Sequence, residues 1–198
     1  MKTDLKLCIQ EINDGTATLD GGDVLFTVKE ILVGIGRNTN EQGAQAVAEA
    51  FPEYVVVPIY IDKINALHLK SVCSMAGRQV IAISNSPCGK EVFKQTKMHA
   101  QFSYELLKLD SDAAANMIYV NGRLVHRTRE EISETCWSVL DEKIVNPRHQ
   151  TRIMELEKAR VCLTSLVLLI NKEKRIRKIV SNLQDDDMDR YATIKTLK

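Results

Sequence analysis

Apolar positions along the chain recur in one order. DVLFT (23–27), a short VKE link and ILVGI (31–35) are apolar over strand lengths and predict a β-hairpin. NEQGAQAVAEAF carries small and apolar residues at helical spacing and is stopped by Pro52, which predicts an amphipathic helix; YVVVPIYI (54–61) predicts a strand. The order then returns. HLKSVCSM, a turn at AGR (76–78) and QVIAIS predict a second hairpin, followed by a helix around GKEVFKQT and a strand in YELLKL (104–109). In the third round NMIYV and RLVHR flank Asn121-Gly122, a pair suited to a type I′ turn because both residues accept positive φ. A helix around REEISETCWSVLDE follows, with Trp137, Ile132 and Leu140 at the spacing of a core stripe, and then a strand near KIVNP. The turns fall at about 29, 77 and 122, so the unit is ββαβ with a period of 45 to 48 residues. A partial fourth unit, ELEKARVCLTSLVLLIN, predicts one more strand.

Such units stack because each buries an apolar face against its neighbours. Two α/β arrangements fit: an open sheet, or a radial ring of ββαβ blades. A dinucleotide-binding sheet is disfavoured, because no G-x-G-x-x-G follows a strand. The chain is 44% hydrophobic, enough for a core, and its 27 basic and 26 acidic side chains leave a net charge of +1. That balance argues against nucleic acid or a membrane surface as partner. The longest apolar run, LVLLI (166–170), is strand-sized and far short of the roughly 20 residues that span a bilayer. The N-terminus alternates charged and apolar residues, unlike a signal peptide. Cys8, Cys73, Cys88, Cys136 and Cys162 form no C-x-x-C pair, which predicts reduced thiols, no metal and a cytoplasmic protein.

The repeat gives its polar residues meaning. Asp20 precedes the first hairpin, His68 opens the second 48 residues later, and Ser165 stands a further 97 residues on. Asn116, 48 residues after His68, falls near the same position; it either lines the axis or satisfies backbone at the end of a unit. In a radial repeat an acid, a histidine and a hydroxyl at equivalent positions converge, which is the layout of a nucleophile, its base and an orienting carboxylate. Gly21 and Gly22 let the backbone turn tightly beside Asp20. Asp23 is either a second polar contact in the central channel or a strand-start residue. His126 reads as structural, and His99 and His149 sit in polar loops.

TLDGGDVLFT, VGIGRNTN, LHLKSVCSMAG, AAANMIYVN, LVHRT, ELEK and VLLINK occur in this order over residues 5 to about 173. Taken together they resemble the C-terminal three-fifths of dimethylarginine dimethylaminohydrolase, a pentein-fold family of the arginine-deiminase superfamily. The resemblance implies a pentein-type α/β propeller, here about three of five blades, over 1–173. It also implies hydrolysis of a methylated arginine to citrulline and an alkylamine without a cofactor, in arginine metabolism and nitric oxide regulation. The small-molecule substrate is the implied partner, and open blade edges invite self-association. The triad acid falls on Asp20, the acid/base on His68 and the nucleophile position, a cysteine in the family, on Ser165. A hydroxyl is a poorer nucleophile than a thiolate towards a guanidinium carbon, so a large loss of rate is expected, with little or no product. A catalytically inactive homologue with a ligand-binding or regulatory role is the alternative. Cys162 is the nearest thiol; if the chain there is extended, it lies about 10 Å from residue 165 on the opposite side. The arginine that holds substrate carboxylate in the family aligns with Asn38, with Arg37 adjacent. Arg160 stands where the family has an acidic residue, and would either repel the guanidinium or recruit the carboxylate. Residues 174–198, opening with KEKRIRK and continuing to DDDMD, read as a charged extension, helical and then frayed.

Overall fold

The computed structural model describes residues 9–62, 66–159 and 161–170, and the ββαβ order occurs three times within them. The first unit is β1 (Val24–Phe26), β2 (Glu30–Ile35), α1 (Glu41–Ala50) and β3 (Val55–Tyr60). The second is α2 (Leu69–Val72), β4 (Cys73–Met75), β5 (Val80–Ser84), α3 (Pro87–His99) and β6 (Glu105–Leu109). The third is α4 (Asp112–Ala115), β7 (Ile118–Val120), β8 (Arg123–Arg127), α5 (Glu134–Lys143) and β9 (Arg148–Thr151); α6 (Met154–Glu157) and a 3-10 turn at Leu163–Leu166 follow. In each unit the hairpin strands pair antiparallel and the third strand joins the second in parallel, as in Val24↔Val33 and Ile31↔Val56. Over the described residues the molecule is therefore α/β with three small mixed sheets, each in linear strand order. The 174–198 extension lies outside the described residues.

Local chemistry explains the boundaries. Asn40, Ser86 and Ser133 cap α1, α3 and α5 by accepting from the amides of Gly43, Gly89 and Cys136. Asn121 and Gly122 both have positive φ, as a type I′ turn requires.

Each central strand feeds two cores. All five residues of β5 are buried, and alternation sends them to opposite sides. Ile81 and Ile83 pack with Leu25, Leu32, Val57 and Ile59 of the first unit. Val80 and Ala82 pack with Leu107, Leu109, Leu124 and Leu140, which join the second unit to the third. Polar ties follow the same seams. The Tyr104 hydroxyl donates to the buried Glu30 carboxylate at 2.7 Å, and the Ser74 hydroxyl donates to the Ala115 carbonyl at 2.6 Å.

Four expectations need correction. The second hairpin opens at HLKSV not on a strand but on one helical turn, Leu69–Val72; the turns Gly21–Asp23 and Asp112–Ala115 stand before the other two. The strand placed near KIVNP lies later, at Arg148–Thr151, because Ile144 caps α5 inside the core and Pro147 has no amide for a ladder. The fourth-unit strand is not formed among the described residues. Ser165 N bonds to Cys162 O and closes a turn, and Leu166 through Ile170 are exposed and pair with no strand among the described residues. Finally, α5 buries Cys136 and Leu140, whereas Trp137 is half-buried, its ring against His126, Arg129 and Arg148.

Candidate active site

The turns that open the units carry the candidate residues. Asp20 caps the first turn: its Oδ1 accepts from Gly22 N at 2.7 Å, and its own amide donates to Thr39 Oγ1 at 2.9 Å. Thr39 Oγ1 in turn donates to Asp23 Oδ2 at 2.7 Å, while Asp23 Oδ1 accepts from Leu69 N at 3.0 Å. One buried carboxylate thus ties the β2–α1 connection and the first turn to the start of α2. His68 stands at the N-cap of α2, held there by Ser71, whose hydroxyl donates to the His68 carbonyl at 2.5 Å.

Two carboxylates flank the imidazole. His68 Nδ1 is 3.5 Å from Asp23 Oδ1 and 3.8 Å from Asp20 Oδ1. Asp23 is 1% exposed, Asp20 45% and His68 19%. Nδ1 itself is buried and completes no hydrogen bond. The close approach depends on Gly22, since a Cβ there would lie 2.7 Å from His68 Cγ.

Asn116 links this cluster to the Ser165 turn. Its amide donates to the Lys70 carbonyl at 2.6 Å and to Thr164 Oγ1 at 2.9 Å, and its carbonyl oxygen accepts from Thr164 N at 3.0 Å. The side chain is fully engaged with neighbouring chain, two residues after His68 on one side and one residue before Ser165 on the other. Ser165 is exposed. Its Oγ lies 3.0 Å from Cys162 Sγ. The extended spacing expected here is wrong: Leu163–Leu166 is a 3-10 turn, and one tight turn brings residues three apart onto the same side.

The remaining candidates divide. Asn38 is half-buried, its amide 3.4 Å from the Leu67 carbonyl beside His68. Arg37 is exposed. Arg160 lies outside the described residues. Sequence reasoning missed Thr39 and Lys70. Thr39 sits one residue after Asn38 in VGIGRNTN, and Lys70 lies inside LHLKS, but neither residue type announces chemistry alone. Burial holds the Lys70 ammonium below the ordinary lysine range, partly offset by negative charge at Cys162, Asp20, Asp23 and Cys73. A cavity of about 650 Å³ lined by Tyr60, Glu91 and Gln95 shares none of these residues. Among the described residues no helix is long and apolar enough to cross a membrane. Nor does any group of three His, Cys, Asp or Glu side chains among them form a metal site.

The arginine deiminase family pattern matches residues 2–134. DDAH2 of Homo sapiens is 32% identical over 177 residues, which cover 85% of this chain and 60% of that protein. DDAH2 of Bos taurus aligns to the same extent. The chain thus spans about 60% of the length of the curated relatives it matches. Among solved structures, a cysteine-to-serine mutant of Pseudomonas aeruginosa DDAH complexed with citrulline superposes with a TM-score of 0.59 at 15% identity, over 77% of this chain and 56% of that one. The N-terminal domain of ArgZ, a cyanobacterial arginine dihydrolase bound to substrate, gives 0.52 at 16% identity, over 70% and 51%. At those identities the structures establish a shared pentein fold, and the family match agrees with it. The chain belongs to the arginine deiminase family.

Proposed function

We propose that the cluster around His68 is the centre of a dimethylargininase-type hydrolase, which converts a methylated arginine to citrulline and an alkylamine. The observation that carries the reading is the imidazole of His68 set against Asp20 and Asp23 and linked through Asn116 to the Ser165 turn. The relatives support it: a pentein neighbour holds citrulline and another holds its substrate. On this reading the three units are consecutive blades of a pentein propeller.

The roles follow from the contacts. His68 moves protons, delivering one to the departing amine and taking one from water. The carboxylates at Asp20 and Asp23 flank its Nδ1 and orient the ring. Asp23 is spent on Leu69 and Thr39, so it orients rather than meets substrate. Asn38 lies nearer this cluster than an exposed Arg37 and is the better contact for substrate. A neighbouring hydroxyl or thiol attacks the guanidinium carbon.

A second reading, an inactive ligand-binding homologue, draws on the serine at position 165. The test is the purified chain incubated with asymmetric dimethylarginine, with citrulline and dimethylamine quantified. We expect both products in equal amounts, and a His68→Ala variant slower by a factor of about 100 or more. Saturable binding of the methylarginine without either product would favour the inactive homologue.

A further inference from the structure

The Ser165 turn holds a second candidate nucleophile. Cys162 Sγ lies 3.0 Å from Ser165 Oγ and 3.6 Å from Thr164 Oγ1, and Thr164 is the residue that Asn116 ties to α2. Cys162 is half-buried and therefore open to small reagents. A thiolate there attracts the ammonium of Lys70, which also feels Asp20 and Asp23. Sulfur at this point is joined through Thr164 and Asn116 to the backbone two residues after His68, and it contacts the residue at the position that the family gives to its cysteine. The other described thiols are placed differently. Cys73 is buried, and burial pushes its thiol up to about 12. Cys136 is buried with its sulfur 2.7 Å from Asp110 Oδ1, and Cys88 sits on the first turn of α3.

We propose that Cys162, displaced by three residues and returned by the 3-10 turn, supplies the nucleophile of this centre in place of Ser165. The inference rests on the amidine-hydrolase reading and deepens it. The thiolate sulfur of Cys162 forms a bond to the guanidinium carbon. The bond from that carbon to the methylated nitrogen then breaks, and the amine leaves with the proton carried by His68. Water gives a proton to His68 and adds to the resulting S-alkylthiouronium carbon. The carbon–sulfur bond breaks, the thiolate is regenerated, and loss of the remaining proton through solvent to the released amine leaves the neutral ureido group of citrulline. No electrons are transferred to or from an external reagent. Ser165 in this scheme is a neighbour whose hydroxyl hydrogen-bonds the sulfur. Lys70 is a positioning residue whose ammonium interacts with a charge at Cys162, Asp20 and Asp23.

The experiment uses the full chain and two electrophiles of nearly equal shape, cationic 2-chloroacetamidine and neutral 2-chloroacetamide, with the adduct mapped by mass spectrometry. We expect the adduct on Cys162, formed by the amidine about tenfold or more faster than by the amide and slowed by asymmetric dimethylarginine. Lys70→Met slows the amidine reaction while leaving the far-ultraviolet circular dichroism unchanged. Cys88→Ala retains labelling and citrulline formation; Cys162→Ala and the near-isosteric Cys162→Ser lose both. Equal rates for the two electrophiles, or an adduct confined to another residue, overturn the proposal. Citrulline formation that survives Cys162→Ser and disappears in Ser165→Ala overturns it too, while leaving the hydrolase reading intact. Conversely, selective and protected labelling of Cys162 without citrulline removes the hydrolase reading and upholds Cys162 as the thiol that faces an amidine.

Discussion

Asp23 shows how one side chain can fix a site without entering its chemistry. It is almost wholly buried, yet both carboxylate oxygens are occupied, one by the Leu69 amide and the other by the Thr39 hydroxyl. Removing it strands two buried donors. We expect Asp23→Ala to lower stability by about 1.5–3 kcal/mol, the range for hydrogen bonds to a charged group, measured by urea unfolding. The Asp23 carboxylate was visible in the sequence, but its two alternatives there, channel contact or strand start, both miss the bridge to α2. The reason is physical: the partner amide is 46 residues away, and no local pattern encodes it. His68 and Asp20 were legible because the repeat spacing puts them at equivalent positions. Cys162 was not, since its approach to Ser165 depends on a turn where the apolar run suggested extended chain.

Single helical turns matter more to this molecule than their length suggests. The ββαβ elements were legible because apolar runs and turn residues mark them strongly. The openings Gly21–Asp23 and Leu69–Val72 were not, because three or four residues carry no period. They nonetheless set the direction of Asp20 and His68. The β1–β2 hairpin holds a different kind of local cost. Val28, β-branched and exposed, sits there with φ at +74°. Left-handed backbone costs an L-residue with a Cβ about 1–2 kcal/mol, and glycine escapes that cost at some expense in chain entropy. Val28→Gly should therefore stabilise the protein by about 0.5–1 kcal/mol, read as a rise in the thermal midpoint.

At the scale of the whole chain, the units are not independent modules. The helix that leads to β6 packs on β3 of the unit before it, and β5 sends Ile81 and Ile83 into one core and Val80 and Ala82 into the other. Neither core closes if the second unit is absent. The amides of β5 should accordingly exchange with deuterium only through complete unfolding, at the protection set by global stability. Fraying of β9, polar and mostly exposed, should release its amides much sooner. Native-state exchange followed by mass spectrometry measures both. A chain wired in this way has a practical property: damage anywhere along the middle sheet loosens His68 and Asn116 together. Losses of ligand recognition and of folding should then track each other in variants far from the imidazole.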